Sequence, residues 1–135
     1  MFTTEIQLRV RYAETDRMGY VYYGNYATYF EVARVEALRN LGVTYKELED
    51  NGILLPVASF HIDYKFPAHY DDLLVIKTSI VSLPTAKLEF KYETYNNDKL
   101  LNTASTTLVF VDAKTSRPMR CPEGIIQKLS SYFTH

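Results

Sequence analysis

Apolar and polar side chains alternate strictly near the start of the chain. Between residues 5 and 12 every second side chain is apolar, and the positions between them are charged or polar. The apolar set is Ile6, Leu8, Val10 and Tyr12. A period of two is typical of a β-strand with one buried face. We therefore predict a strand here, followed by a loop over the polar, glycine-containing stretch from Ala13 to Gly24.

The apolar period becomes helical between Asn25 and Leu41. Apolar side chains recur there every three or four residues: Tyr26, Tyr29, Phe30, Ala33, Ala37 and Leu41. This spacing predicts one long amphipathic helix. Asn25 suits the N-cap, and Gly42 suits the left-handed residue that ends a helix. Val32 and Val35 lie on the opposite side, which indicates that more than one face of this helix is covered.

The rest of the chain is predicted to be one short helix and then strands. Thr44 and Glu47 have the spacing of a capping box, and Asn51-Gly52 ends the short helix. Four strands follow in succession: Leu54–Phe66, Leu73–Leu83, Ala86–Tyr95 and Leu100–Val111. A turn at residues 96–98 separates the last two strands, and a short helix near Glu123–Leu129 closes the chain.

This order of elements excludes a doubly wound parallel sheet, because strands and helices do not alternate. It predicts one α+β domain spanning residues 1–135, in which an antiparallel sheet of about five strands packs on one long helix. The sheet edges and the remaining helix surface favour a dimer.

Composition narrows the classes of partner. The 135 residues include 15 basic and 16 acidic side chains, so no broad charge attracts nucleic acid or an anionic membrane. Cys121 is the only cysteine and cannot form an intrachain disulfide, which favours a reducing compartment. There is no signal-peptide pattern and no run near the ~20 apolar residues that span a bilayer. We expect a cytoplasmic protein.

The loop before the long helix is the candidate site. The first turn of a helix has unsatisfied amides and a partial positive charge. A carbonyl oxygen held against the amides of Tyr23, Gly24 and Asn25 would be polarised. Asp16 lies a few residues upstream, where its carboxylate could attack a thioester or deprotonate a water. The alternative is that Asp16 only caps a turn before Gly19.

The sequence DRMGYVYYGNY, from Asp16 to Tyr26, resembles the signature of the 4-hydroxybenzoyl-CoA thioesterase/YbgC-like family. Pro67-Ala68 followed by Tyr70–Leu73 resembles a turn of the same family. The resemblance extends from the first strand to about Val111. It implies a hotdog fold, in which the sheet wraps around the long helix, and hydrolysis of acyl-CoA thioesters. It also implies a homodimer or a dimer of dimers, with pockets lined by two subunits.

The resemblance assigns roles to individual residues. Asp16 matches the catalytic carboxylate, and Tyr23 matches the position whose backbone amide binds the thioester carbonyl. Some members carry histidine where this chain has Tyr23, so a mechanism that needs an imidazole at that position is not expected. The substrate-binding candidates are Gly19, Tyr20, Tyr22, Gly24, Asn25, Ser59 and His61. Ser59 and His61 would act across a subunit interface, although a lone histidine is more often structural.

The sequence gives little support for a metal site, a reactive thiol or an acid–base pair of carboxylates. The three histidines, His61, His69 and His135, lack metal-ligand spacing, and no cofactor is expected because coenzyme A is part of the substrate. Cys121 has no histidine nearby, so we expect an unreactive thiol. Asp71-Asp72 fits a capped turn better than an acid–base pair. The phosphates of coenzyme A would be met by surface arginines; Arg17, Arg117 and Arg120 are the candidates.

The sequence thus predicts a thioesterase for a small acyl or aryl group. Two alternatives stay open: a module on the same fold that binds acyl-CoA without hydrolysis, and a hydrolase acting on acyl-carrier-protein thioesters. A hotdog hydratase is disfavoured, because its paired Asp and His are not found.

Overall fold

The structure is a computed structural model, and it describes residues 1–133. Strand β1 spans Phe2–Arg9, a 3₁₀ turn spans Tyr12–Glu14, and the helices α1 and α2 span Asn25–Leu41 and Tyr45–Asp50. The remaining elements are β2 (Ile53–Leu54), β3 (Val57–Tyr64), β4 (Leu73–Ile80), β5 (Lys87–Asn96), β6 (Lys99–Val109), β7 (Val111–Asp112) and α3 (Glu123–Ser130).

The predicted α+β class is confirmed. Five strands form an antiparallel sheet in the order β1-β4-β5-β6-β3, and β2 pairs with β7 in a separate two-stranded sheet. The α1 helix packs on one face of the large sheet. The other face carries the charged side chains of β5, with Lys87, Glu89 and Lys91 exposed to solvent as their alternation predicts.

The core lies between α1 and the sheet. The helix buries Tyr26, Tyr29, Phe30, Ala33, Arg34, Ala37 and Leu38. The largest buried side chains of the sheet include Leu74, Ile76, Leu88, Phe90, Tyr92 and Leu108. Val32 on the opposite side of α1 is 45% exposed, so a single chain does not cover that face.

The ends of α1 follow from local chemistry, with one correction. Gly42 adopts φ 93°, a left-handed conformation that glycine accepts without strain, and its amide donates to the Arg39 carbonyl. The N-cap is Gly24, whereas Asn25 is the first residue of the helix. The prediction of Asn25 as N-cap was therefore wrong. Thr44 caps α2 as predicted, because its hydroxyl accepts from the Glu47 amide at 3.1 Å.

Several strand boundaries were also predicted wrongly: β4 ends at Ile80 rather than Leu83, and the run Leu100–Val111 is divided between β6 and β7. The run Leu54–Phe66 is broken between β2 and β3 at Leu55-Pro56, because proline has no amide to donate to a sheet. Tyr12 lies in the 3₁₀ turn and not in β1, and it is largely exposed.

Strand β3 forms one edge of the sheet, and within residues 1–133 it pairs only with β6. Its eight residues are all exposed or half-buried, including the apolar Val57, Phe60 and Tyr64.

Among the described residues, none of the helices is long and apolar enough to cross a membrane.

Candidate active site

Glu14 organises the loop between β1 and α1. Its buried carboxylate accepts from the Arg11 guanidinium at 2.7 Å and from the Tyr29 hydroxyl at 2.9 Å. Its backbone carbonyl accepts from the Tyr22 amide and from Asn25 Nδ2, both at 2.8 Å. Burial alone would raise the pKa of Glu14, but the hydrogen bonds from Arg11 and Tyr29 lower it below its ordinary value. Glu14 therefore stays charged and fixes the loop to the helix.

Asp16 sits in a tight turn of this loop. Its Oδ1 accepts from the amides of Met18 at 2.9 Å and Tyr20 at 3.2 Å. The backbone closes the same turn, with the Asp16 amide donating to the Tyr20 carbonyl and the Gly19 amide to the Asp16 carbonyl. Gly19 has φ 80°, so this turn requires a glycine. The turn-capping role considered for Asp16 is thus observed, and it engages one carboxylate oxygen.

The second carboxylate oxygen of Asp16 is available for chemistry. Within residues 1–133 no donor binds Oδ2. The half-buried Asp16 lines a cavity of about 320 Å³ that also contains Tyr20, Tyr23 and Tyr26. The turn engages Oδ1 alone, so the capping role does not by itself exclude a reaction at Oδ2.

The start of α1 supplies amide donors beside this cavity. The Asn25 amide donates to the Tyr22 carbonyl at 2.9 Å, and the Tyr26 amide donates to the Tyr23 carbonyl at 3.2 Å. The amides of Tyr23 and Gly24 have no acceptor in the described part of the chain. Of the three amides considered for carbonyl binding, these two are unoccupied.

Gly24 and Asn25 have structural reasons to be present. A Cβ at Gly24 would lie 2.9 Å from the Tyr22 ring, so a larger residue would displace that ring. The Asn25 side chain ties the first helical residue to the carbonyl of Glu14, two residues before Asp16. Both residues shape the loop, and they directly follow the lining residue Tyr23 without forming part of the cavity wall.

Half of the residues that line the cavity are aromatic. Tyr20, Tyr23 and Tyr26 come from the loop and helix, and Tyr64 and Phe66 come from the end of β3 and the residues after it. Tyr26 packs on Tyr64 with ring centroids 5.7 Å apart, and burial raises the pKa of Tyr26 to about 12, so its phenol stays neutral. Met18, Val21, Lys65 and Pro67 complete the lining. Such walls suit an apolar or aromatic acyl group.

Three further predicted binding residues lie outside the lining, as Gly19, Gly24 and Asn25 do. Tyr22 is half exposed, packs on the Tyr23 ring and is not part of the lining. Ser59 and His61 are on the face of β3 opposite to Phe60 and Tyr64, the side chains that contact α1. His61 Nε2 is 3.0 Å from Asp63 Oδ2 and lines a separate hollow on the outer face of the sheet. The fold of one chain does not bring Ser59 or His61 to Asp16, and their role in binding stays a prediction.

Sequence reasoning missed Glu14, Tyr64 and Phe66 as parts of the site. From the sequence, Tyr64 and Phe66 were assigned only to the apolar face of a strand. Pro67 directly after them was the one signal in the sequence that could have placed them at the site. Glu14 gave a weaker signal, as an acidic residue three positions after Arg11 at the end of a strand.

The remaining candidate groups are structural. Asp72 caps the turn before β4, because its Oδ2 accepts from the His69 amide at 2.8 Å. Cys121 is buried, and burial raises the pKa of its thiol to about 12, so it is not a ready nucleophile. Across residues 1–133 no three His, Cys, Asp or Glu side chains gather as metal ligands, and His135 lies outside the described residues.

Comparison with known proteins identifies the family of the chain. The profile of the thioesterase-like superfamily matches residues 10–129. YneP of Bacillus subtilis is 36% identical over 121 residues, covering 89% of this chain and 88% of YneP. The acyl-CoA thioester hydrolase YbgC of Escherichia coli is 33% identical over 120 residues, covering 88% of this chain and 90% of YbgC.

A solved structure extends the similarity to three dimensions. The crystal structure of a DHNA-CoA thioesterase from Staphylococcus aureus superposes with a TM-score of 0.89 at 32% identity. The superposition covers 100% of this chain and 97% of that one. The hotdog arrangement that the sequence predicts is thereby confirmed.

Proposed function

This chain belongs to the thioesterase-like superfamily, and from that membership we infer that it is an acyl-CoA thioesterase. It hydrolyses an acyl-CoA thioester to a free acid and coenzyme A. The observation that carries the proposed site is a cavity in which the Asp16 carboxylate lies near the start of α1, where the Tyr23 and Gly24 amides are unoccupied.

In the proposed mechanism the thioester carbonyl oxygen lies against the Tyr23 and Gly24 amides. Their N–H groups and the positive end of α1 stabilise the negative charge that develops on this oxygen. One well-placed donor of this kind is typically worth about 3–4 kcal/mol in acyl transfer. The turn amides of Met18 and Tyr20 hold Oδ1 of Asp16, which fixes the position of Oδ2.

Asp16 can act in either of two ways. As a nucleophile, Oδ2 attacks the carbonyl carbon, the C–S bond breaks, and the thiolate of coenzyme A leaves and takes a proton from solvent. Water then hydrolyses the resulting mixed anhydride and restores the carboxylate. As a general base, Asp16 takes a proton from the attacking water and returns it to the departing sulfur. Neither route needs a metal or another cofactor.

We propose that the active form is a homodimer, alone or as a dimer of dimers. The edge strand β3 has backbone groups free to pair with a second copy, and it exposes Val57, Phe60 and Tyr64. Tyr64 and Phe66 are about half exposed where they wall the Asp16 cavity, so a second subunit would close it. Light scattering coupled to size exclusion should give twice or four times the chain mass; a monomer at micromolar concentration would contradict the proposal.

The substrate assay separates the proposed activity from its alternatives. Wild-type protein is mixed with acyl-CoA and acyl-carrier-protein thioesters of aryl, short and medium acyl groups, and thiol release is followed. We expect release from coenzyme A thioesters, with preference for groups that fill about 320 Å³ of aromatic-walled cavity. Binding without thiol release would indicate a binding module, and release from carrier-protein thioesters alone would overturn the proposed carrier.

A further inference from the structure

Arg34 is a buried cation without a carboxylate partner. It lies on the stripe of α1 that faces the sheet, one turn after Phe30, and it is 8% exposed. Its Nε donates to the Tyr45 hydroxyl at 3.3 Å. In the chain from residue 1 to 133 no carboxylate lies within 4 Å of its guanidinium. Arginine is rarely buried unless paired, because an isolated buried charge is strongly disfavoured.

The surroundings of Arg34 keep it charged. Burial alone would lower the pKa of Arg34, but the phenols of Tyr92 and Tyr45 raise it above its ordinary value. The Tyr92 hydroxyl in turn lies 2.6 Å from Thr106 Oγ1. A fixed guanidinium with free N–H groups is the protein group best suited to hold a carboxylate in two parallel hydrogen bonds.

Arg34 lines a second cavity, of about 170 Å³, between α1 and β3. The other lining residues are Ala27, Phe30, Val57, Phe60 and Thr106. Most of these walls are apolar, and the charge is confined to Arg34. A cavity with apolar walls and one cation fits a ligand that has an apolar stem and a carboxylate at its end.

Residues of α1 and of β3 line both cavities. Tyr26 packs on Tyr64 at the Asp16 cavity, and one helical turn later Phe30 packs on Phe60 with ring centroids 5.9 Å apart. Eight residues separate Tyr26 from Arg34, which is about 12 Å along a helix. Helical side chains lean toward the N-terminus, which brings the guanidinium closer to Asp16.

We propose that the Arg34 cavity is a binding site for a carboxylate on an apolar stem. The carboxylate can come from two sources. It is the far end of an ω-carboxyl acyl group whose thioester lies at Asp16, a case that rests on the proposed thioesterase function. Or it belongs to a free carboxylic acid that binds the cavity as a separate ligand.

A protein carboxylate is the competing explanation. Glu31 lies on α1 one turn before Arg34, and its charge acts on Tyr45, although it forms no ion pair with Arg34 in this chain. If Glu31 of the same chain or of a second copy held Arg34, Glu31→Gln would alter stability as strongly as a change at Arg34 itself.

The test uses Arg34→Met, with Glu31→Gln as the matched control. Methionine removes the buried charge and keeps an unbranched side chain, but it leaves the Tyr45 hydroxyl without its donor, so we expect Arg34→Met to fold with a modestly lower Tm. Thiol release is measured on ω-carboxyl acyl-CoA thioesters from succinyl-CoA to sebacoyl-CoA, each against the neutral acyl-CoA of equal chain length. The Tm of each protein is also measured with decanoate and with decanol.

If the carboxylate is the far end of the substrate's acyl group, wild type should prefer at least one ω-carboxyl thioester over its neutral counterpart by tenfold or more in kcat/KM. Arg34→Met should lose this preference while retaining the neutral rate, and Glu31→Gln should behave as wild type. For the separate-ligand source, decanoate but not decanol should raise the Tm of wild type, and Arg34→Met should abolish that shift.

The proposal is overturned if wild type shows neither effect, or if Glu31→Gln destabilises the protein as Arg34→Met does. If Arg34→Met does not fold, the measurements on wild type and on Arg34→Lys, which keeps the charge, still test the proposal. The neutral acyl-CoA rates separately report the thioesterase function, so a failure there is distinguishable from a failure at Arg34.

Discussion

Replacing Asn25 by alanine removes the side chain that ties the loop of Asp16 to the start of α1. Asn25 Nδ2 donates to the Glu14 carbonyl at 2.8 Å. The same carbonyl also accepts from the Tyr22 amide, so the variant leaves no buried acceptor unpaired. The change is therefore small for the fold as a whole and local to the loop that carries the carboxylate.

The expected magnitudes follow from this geometry. A neutral hydrogen bond contributes about 1 kcal/mol net, and the better helix propensity of alanine returns up to about 0.7 kcal/mol. The Tm of Asn25→Ala should fall by no more than about 4 °C. Activity is more sensitive, because a 1 Å displacement of a catalytic group can cost about 10²-fold. We expect kcat to fall by about tenfold or more with little change in KM.

The matched control is Asn40→Ala near the other end of the same helix. Asn40 Nδ2 donates to the Glu36 carbonyl at 3.1 Å, an amide-to-carbonyl bond far from the loop. Thermal melts and steady-state kinetics of both variants should show lost kcat only for Asn25→Ala. If Asn25→Ala kept the kcat of wild type while its Tm fell, the tether would not position Asp16.

Three further experiments test other parts of the structure. Tyr29→Phe removes a buried hydrogen bond to Glu14 and should cost about 1–2 kcal/mol at neutral pH by urea denaturation. Because the hydrogen bonds from Arg11 and Tyr29 hold the pKa of Glu14 below its ordinary value, this difference should be fully present above the ordinary pKa of a glutamate and shrink as the pH falls through the lowered pKa; a constant difference would refute the charge network. Gly19→Ala places a side chain at φ 80° and should lower both Tm and kcat, whereas Gly124→Ala, with open space in α3, should not lower Tm. Cys121 should react with a thiol reagent such as iodoacetamide only after unfolding; fast labelling of the native protein would contradict its burial.

The bounds of α1 were predictable because its signals are local. The apolar stripe from Tyr26 to Leu41 repeats at helical spacing, and Gly42 ends the helix in a conformation that glycine favours. The loop at Asp16 was predictable for the same reason, since its turn depends on Asp16 and Gly19 themselves. The predicted strand Leu54–Phe66 was wrong for a local reason as well: Pro56 has no amide to donate and interrupts a continuous strand.

The walls of the cavity depend on contacts between distant segments. Tyr64 meets Tyr26 only because β3 lies beside β6 at the edge of the sheet, a pairing that the spacing of apolar residues does not encode. Arg34 shows the same limit. It falls four residues after Phe30, on the buried stripe, and the hydroxyls of Tyr45 and Tyr92 that contact its guanidinium come from other elements of the fold.

Asp16→Asn, measured against Asp112→Asn, tests the central claim most directly. Asp112 caps a similar turn, with Oδ1 accepting from the Lys114 amide at 2.8 Å and the Thr115 amide at 3.1 Å. Asparagine retains the capping oxygen in both turns and removes the charge. We predict that Asp16→Asn binds acyl-CoA yet loses about 10²-fold or more in kcat, while Asp112→Asn hydrolyses it normally. If both variants released thiol at the wild-type rate, Asp16 would be a turn cap and nothing more.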